Sequence, residues 1–419
     1  MSASAPEIGK LSGTYSGHPT PSYGSRLREL TPSFVALLQH YISEVIFSCG
    51  RVGIGHWSRF HRFFSHAAWD LDTFSMFLAK LVATILAPGA TLLWAVDDTL
   101  CRKRGLTLYG AGMHYDPLIS SRAKSLVSWG HDWVVLCLIL VHPFWAPTKV
   151  FALPIAFRLY KNRQGLTKGK KTAKKGKKGK KGKKPAKTGQ KPAKKASQPK
   201  PKPDPNHRTR PELALELIPL AARWFPNDEI MVTGDSAYGG ASILRHLPSN
   251  VHLISPVHPQ GALYQPAPPK AAKTKGPARK KGDRLPGMAA WAEDPKQPWT
   301  ELKFDQFGSH AIECTFENSK QLLGLEDPAN RLPKAVERTA PMALIVYSLV
   351  VVWFHQTGHK SVRFPIRPWY PKKEGPSFAD LLTTLRRVSY EEKTERLLPN
   401  RCGLKTWIAQ VTELLSRAG

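Results

Sequence analysis

The chain has 419 residues, of which 42% are hydrophobic, and it carries a formal net charge of +31 at pH 7. This apolar content is enough for an ordinary core in two or three domains, which excludes a wholly disordered protein, and the charge predicts a polyanionic partner. Five cysteines without any Cys-x-x-Cys pair argue against a zinc site and a disulfide framework, and they fit a reducing compartment.

The N-terminal segment and the longest apolar block bear on location. Residues 1–28 are rich in Ser, Gly and Pro and contain no apolar stretch suited to export, so we expect a disordered arm and no signal peptide. The longest apolar block, Met342 to Phe354, has 13 residues, fewer than the ~20 that a helix needs to cross a bilayer. We therefore expect a buried helix, no membrane association, and a cytoplasmic protein associated with the nucleoid.

Residues 29–90 are predicted to form a helical module with three helices. The first pattern starts at Thr31 and ends at Gly50, and the third runs from Asp72 to Leu86. Between them, Arg59 and Arg62 stand among aromatic residues. A basic middle helix is typical of a helix-turn-helix DNA-binding module. A helical cap on a catalytic core is equally compatible with this pattern.

The apolar run Thr91 to Val96 follows the breaker pair Pro88-Gly89 and predicts a buried strand. Asp97 and Asp98 come directly after it. Adjacent carboxylates repel each other, so they either stay in water or meet a cation, and a divalent metal relieves both problems. A turn with solvated acids explains this segment alone equally well.

Beyond these acids, the predicted order is two more strands, a helix, two strands and a further helix. Two strands separated by a Pro-containing turn come first, and a helix then opens with the capping box Thr209-Arg210-Pro211-Glu212. The next apolar segment delivers Asp235 into a Gly-flanked turn, as at the first acid. The predicted strands are Trp133 to Val141, Val150 to Leu159, the apolar segment that starts at Glu229 and ends in Asp235, and Val251 to Ser255.

A lysine-rich segment interrupts this order. From Lys168 to Lys202 there are 17 Lys and no acid among Gly, Ala and Pro. Mutual repulsion and missing apolar residues prevent a packed core, so residues 162–208 are predicted to be a disordered cationic insertion. A second basic stretch, Lys270 to Lys281, belongs to a predicted basic loop of residues 259–298.

The segment Ile312 to Lys320 is predicted to be a helix. Glu313 and Lys320 are seven residues apart, so at ~100° per residue they share one face of that helix. An acid and a base on one face suggest a metal beside a phosphate.

Three acidic motifs in this order resemble those of DDE transposases of the insertion-sequence type, in the group whose signature ends in Glu, six residues and Lys. The motifs are Asp97-Asp98-Thr99, Gly234-Asp235-Ser236-x-Tyr238-Gly239, and Glu313 with six residues before Lys320. The sequences near these motifs also resemble those of the family, at Arg104-Gly105, Gly112 to Tyr115, Trp129 to Trp133, and Leu323 to Arg331. The likeness runs from about residue 34 to residue 387.

The resemblance implies an α/β fold, a ribonuclease H-like mixed sheet flanked by helices, over residues 91–355, with a helical extension over residues 356–419. It also implies two-metal phosphoryl transfer in which Asp97, Asp235 and Glu313 bind Mg²⁺ (or Mn²⁺). Asp98 and Glu317 are the local alternatives to the first and third acids, and we expect both to point elsewhere.

The implied partners are DNA at the ends of the protein's own mobile element and target DNA, with a homodimer on paired ends. We expect Lys320, Arg104, Arg59 and Arg62 to contact DNA, and the sequence places Arg102 and Lys103 beside the same path. A structural nuclease, a non-catalytic DNA-compacting protein and a decayed transposase are the alternative functions. The last is considered because Gln306 and Ser309 stand where the family signature has Tyr and Arg.

Overall fold

The structure is a computed structural model of the chain and describes residues 56, 58–121, 123–162, 207–256, 261–269, 277–296, 308–364, 373 and 375–397. Several predicted features lie outside the described residues. These are the helix from Thr31 to Gly50, the lysine-rich insertion, Gln306 and the side chain of Ser309.

The described residues form helices and strands that largely follow the predicted order. The helices are α1 Ser58–Ser65, α2 Leu71–Leu86, α3 Arg210–Ala222, α4 Ala241–Leu244, α5 Met288–Ala292, α6 Gly308–Leu322, α7 Pro333–Gln356 and α8 Phe378–Leu397, with a 3₁₀ turn at Gly358–Ser361. The strands are β1 Leu92–Arg102, β2 Gly112–Tyr115, β3 Val127–Val141, β4 Val150–Tyr160, β5 Ile230–Gly234 and β6 Val251–Ile254.

The six strands form one mixed sheet. Its order is β2-β3-β1-β5-β6, and β4 also pairs with β3. Strand β3 is antiparallel to β1, β2 and β4, whereas β1, β5 and β6 are mutually parallel along the sheet. The predicted mixed sheet flanked by helices is therefore confirmed.

Strand β1 is longer than its apolar run. We predicted that it would end at Val96, but it continues through Asp97 and Asp98 to Arg102. The reason is its antiparallel partner, because β3 pairs with it without interruption from Trp94 to Arg102. The prediction that the first acids lie at a strand end was wrong: they lie within the strand.

Helices cover both faces of the sheet. The helices α6 and α7 pack against β4, where the Thr315 hydroxyl donates to the Ala152 carbonyl (2.8 Å) and the Ser348 hydroxyl donates to the Pro154 carbonyl (2.9 Å). On the other face, the segment after α3 brings Phe225 against Trp94, with ring centroids 6.1 Å apart. The predicted capping box at the start of α3 is present.

Helix α7 carries the longest apolar block. By length and composition it is the one helix of the described segments that could cross a membrane, but 89% of its most apolar stretch is buried inside the protein. The prediction of a buried helix at this block is confirmed. Helix α8 packs on it through Phe378, whose ring stacks on Tyr347 at 4.0 Å.

The helices α1 and α2 are tied to the rest of the fold by charged side chains. Buried Arg338 of α7 donates to the carbonyls of Phe64 (3.2 Å), Ala67 (2.9 Å) and Trp69, and its guanidinium lies 4.4 Å from the Trp69 ring. The first of these bonds satisfies a carbonyl in the last turn of α1, and the other two hold the segment between α1 and α2. The two helices therefore pack as a cap on the sheet and α7; their binding to DNA stays a prediction.

Gly130 provides a test of the sheet register. A Cβ added there would lie 2.2 Å from the carbonyl oxygen of Cys101, in the strand paired with it. Overpacking usually costs about 1–3 kcal/mol, and strand backbone yields little, so we expect Gly130→Ala to lower the free energy of unfolding by about 3 kcal/mol. The control is Gly287→Ala, where an added Cβ meets nothing within 4 Å. Urea unfolding of both variants measures the difference, and equal stabilities would contradict the register.

Candidate active site

The sheet brings the first two predicted acids side by side. In the parallel pairing of β1 with β5, Val96 is opposite Gly234, and that is the last pair. The residues that come next after these two strand positions are Asp97 and Asp235. Strand β5 ends there because Asp235 enters a turn, in which its side chain accepts the Ala237 N–H at 2.9 Å.

The third acid reaches the same place on α6, whose C-terminal end is fixed to the end of β1. Gly324, with a φ of 64°, ends the helix in the left-handed conformation, and the N–H of Leu325 bonds back to the Ser319 carbonyl (3.1 Å). Glu326 then accepts the Arg102 N–H on its side chain (2.9 Å). The segment Leu323 to Arg331, whose sequence resembles that of the transposases, therefore fastens the end of α6 to the end of β1.

The electrostatics of Asp97 link the three acids. Burial raises the pKa of Asp97 to about 7, although the Asp98 N–H donates to its carboxylate at 2.8 Å and opposes this effect. The negative charges of Asp98, Asp235 and Glu313 raise this pKa further. The other two predicted acids, Asp235 and Glu313, therefore both act on the partly buried carboxylate of Asp97, and the role of the three as metal ligands stays a prediction.

The donor set fits a hard divalent cation. Within the described ranges, no three or more His, Cys, Asp or Glu side chains already stand in metal-ligand geometry. The available donors are nevertheless carboxylate oxygens, which Mg²⁺ and Mn²⁺ prefer. A partly buried carboxylate whose pKa is raised by desolvation and by neighbouring acids is stabilised when a cation replaces its proton. Asp97, Asp235 and Glu313 are thus the residues that would hold the metal.

Of the two local alternatives, Asp98 points away from Asp97, whereas the prediction that Glu317 points elsewhere stays a prediction. Asp98 accepts a hydrogen bond from the Tyr238 hydroxyl (2.9 Å) and an ion pair from Arg210 (3.1 Å) on the opposite face of β1. Glu317 is exposed one turn beyond Glu313 and accepts a hydrogen bond from Gln321 (3.0 Å).

The sequence did not reveal a buried polar network behind Asp97. Arg210, at the start of α3, also binds Asp132 (2.8 Å), which lies 3.5 Å from His114. Burial lowers the pKa of His114 to about 4, so the ring is neutral at pH 7. Since Tyr238 and Asp98 belong to this network, it holds the turn after Asp235 against β1. No local pattern signals it, because its members come from distant segments.

The predicted DNA-contacting residues have different surroundings. Arg59, Arg62 and Arg104 are exposed, and Lys320 is half-buried near the end of β1, where its charge acts on Cys101. Contact of these four with DNA stays a prediction.

The two basic neighbours of Arg104 are occupied. Lys103 is buried and donates to the Glu326 carbonyl (2.6 Å), so the expectation that it lines the DNA path was wrong. Arg102 is bound to Asp116 (2.7 Å) with 42% of its side chain exposed.

A comparison with protein families agrees with this site. Residues 51–320 match the family described as DDE superfamily endonuclease, and the match includes all three acids and ends at Lys320. The chain therefore belongs to this transposase-type family, as the motifs indicated, and the family implies DNA as substrate and supports a metal-dependent nuclease. No curated protein matches the chain.

The raised pKa of Asp97 predicts a stability effect that does not require activity. Because the pKa in the folded state, about 7, exceeds the ordinary 3.8, the folded form binds the proton more tightly and loses stability as the pH rises from 4 to 7. Above pH 7 the whole penalty is present. In metal-free buffer at pH 8, Asp97→Asn should therefore stabilise the protein, by on the order of 2 kcal/mol.

Thermal melts with EDTA at pH 5 and pH 8 measure this effect, which should be larger at pH 8. Added Mg²⁺ should raise the melting temperature of the wild type and not of Asp97→Asn, since binding to the native state stabilises it. A variant that gains nothing at pH 8 would contradict the burial of a carboxylate charge at this position.

Proposed function

We propose that this protein is a DNA transposase that cleaves the ends of its own mobile element and joins the free 3′ hydroxyls to target DNA. The observation that carries the proposal is the register of β1 and β5, which sets Asp97 beside Asp235, while the charge of Glu313 acts on the same carboxylate. Membership of the DDE superfamily endonucleases and the charge of +31 support DNA as the substrate.

We also propose that the fold is ribonuclease H-like. Three antiparallel strands, β4, β3 and β1, are followed in the sheet by the parallel strands β5 and β6, with α3 connecting the two groups along the chain. Acids from neighbouring strands and from a helix then meet at one place, as the resemblance implied.

The chain's own residues divide the chemistry between them. When bound, divalent ions would supply an activated attacking oxygen and charge stabilisation at the leaving oxygen. Asp97, Asp235 and Glu313 would hold and orient them, and the partial burial of Asp97 would limit the water that reaches that point. Lys320, two turns after Glu313 on α6, and exposed Arg104 after β1 bind phosphates of the DNA backbone. A homodimer on paired ends and association with the nucleoid complete the proposal.

Glu313 offers the test of catalysis, because it is exposed and its substitution should not unfold the protein. Glu313→Gln should reduce Mg²⁺-dependent cleavage of DNA spanning the element's ends by a factor of at least about 10³, since a catalytic carboxylate contributes several kcal/mol to transition-state stabilisation. Glu317→Gln, one turn further on the same helix, is the matched control and should cleave like the wild type.

The measurement is single-turnover cleavage with purified protein and end DNA, beside DNA affinity. If the wild type binds end DNA but never cleaves or joins it, transposition is contradicted and non-catalytic DNA binding becomes the function. The 17 lysines between residues 168 and 202 favour this second candidate function. Cleavage without joining would indicate a nuclease.

The ends of the lysine-rich insertion lie together, which makes a clean deletion possible. His207 Nδ1 is 3.1 Å from the Lys161 carbonyl oxygen, and its ring lies 5.8 Å from that of Tyr160. Removing residues 163–206 and joining the ends through a short Gly-Ser linker should therefore leave the melting temperature nearly unchanged.

The same deletion should weaken sequence-independent DNA binding. Each lysine that contacts a phosphate adds about 0.9 to the slope of log affinity against log salt, so losing five contacts flattens that slope by roughly 4 to 5. Salt titrations on random duplex DNA measure it. Cleavage of saturating end DNA should persist, because the acids lie outside the deleted residues; its loss would assign the insertion to the active site.

A further inference from the structure

An exposed apolar surface stands at the outer end of the β2–β3 pair. Tyr115 and Val127 are opposite each other in the register, and their exposed fractions are 52% and 51%. Leu118 and Ile119 follow in the next turn, with 76% and 49% exposed. We call these four side chains the apolar tip. Contiguous apolar exposure on a strongly basic protein indicates an interaction site.

The turn that presents the apolar tip is held in place by a buried acid. Asp116 is 1% exposed and accepts hydrogen bonds from Arg102 (2.7 and 3.0 Å), the Ser128 hydroxyl (2.6 Å) and the Leu118 N–H (3.1 Å). Its own N–H donates to the Leu126 carbonyl (3.0 Å). The apolar side chains are therefore exposed by a well-ordered turn.

The apolar tip belongs to the sheet face that carries Asp97. Asp97 is opposite Val135 in the register, and side chains alternate along β3, so Val127 and its partner Tyr115 lie on the same face. Eight residues separate the two positions on β3, which is about 27 Å at 3.4 Å per residue.

Basic residues lie in the segments that border the apolar tip. Lys124, three residues before Val127, and Arg104, after the end of β1, are exposed, and 42% of the Arg102 side chain remains accessible on the opposite face of the β2–β3 pair. Cations beside a small apolar group match the phosphates that flank a base step. A stable contact with a second protein copy needs about 800 Å² from each partner, more than four side chains provide.

We propose that the apolar tip contacts nucleobases of the bound DNA, entering the helix at an unpaired or opened base step several base pairs from the cleaved phosphate. Apolar side chains of this kind separate stacked bases and kink the duplex, and an aromatic ring stacks on an exposed base. The inference rests on DNA being the substrate, but it does not require cleavage.

The test compares binding to two DNA duplexes that are identical except for one mismatched step. The wild type should bind the mismatched duplex about tenfold more tightly, because a mismatch lowers the free energy needed to unstack the bases at that step. The double variant Leu118→Ser/Ile119→Ser should lose this preference and keep the slope of affinity against salt. A 2-aminopurine at the step should brighten with the wild type and stay quenched with the double variant.

Phe77→Ser is the matched control, since Phe77 is 65% exposed on α2, and it should behave as the wild type. An unchanged preference in the double variant, or no preference in the wild type, overturns the inference. A double variant that changes from dimer to monomer in light scattering without altering base fluorescence overturns it in favour of a second copy. If the wild type shows the preference, the double variant loses it, and neither cleaves DNA, the inference is upheld while the proposed catalysis fails.

Discussion

Strand β1 has two neighbours of different length, and the site depends on that difference. On one side β3 pairs with it as far as Arg102, and on the other β5 stops at Gly234, opposite Val96. From Asp97 onward, β1 is therefore held by one neighbour and open on the other side. The turn at Asp235 and the helix of Glu313 lie where that opening begins, so the acids meet without interrupting the sheet.

This arrangement places negative charge where the fold itself would be more stable without it. Burial and three neighbouring carboxylates raise the pKa of Asp97 to about 7. Asp98, on the other face, has its pKa raised to about 6, also chiefly by burial, although Arg210 and Tyr238 act in the opposite direction. We propose that a bound cation neutralises the first charge, whereas Arg210 pairs with the second inside the protein. A stability deficit at a site is expected where function requires the charge.

The end of β1 connects the candidate acids with the basic residues proposed to bind DNA. The backbone N–H of Arg102 and the ammonium of Lys103 both bind Glu326, which follows α6, so these bonds fasten the helix that carries Glu313 and Lys320 to the end of β1. The guanidinium of Arg102 also holds the turn of Asp116. The three candidate acids, Lys320 and the apolar tip are thus all connected to strand β1.

The sequence by itself indicated the family and the candidate site. The residues and spacing of three acidic motifs pointed to Asp97, Asp235 and Glu313, because acid positions and turn residues are local properties of the chain. The apolar pattern permitted a mixed sheet, and the family resemblance selected it. The buried helix at Met342 to Phe354 followed from its composition in the same way.

Only the tertiary structure decided what depends on distant partners. Strand β1 continues past Val96 because it pairs with β3. Lys103 is buried because its ammonium donates to the carbonyl of Glu326, more than two hundred residues away along the chain. The network of Arg210 and Asp132 likewise joins segments on either side of the insertion. Hydrogen bonds and desolvation between distant segments cannot be predicted from local periodicity, because the residue pattern of each segment is the same whether or not its partner is present.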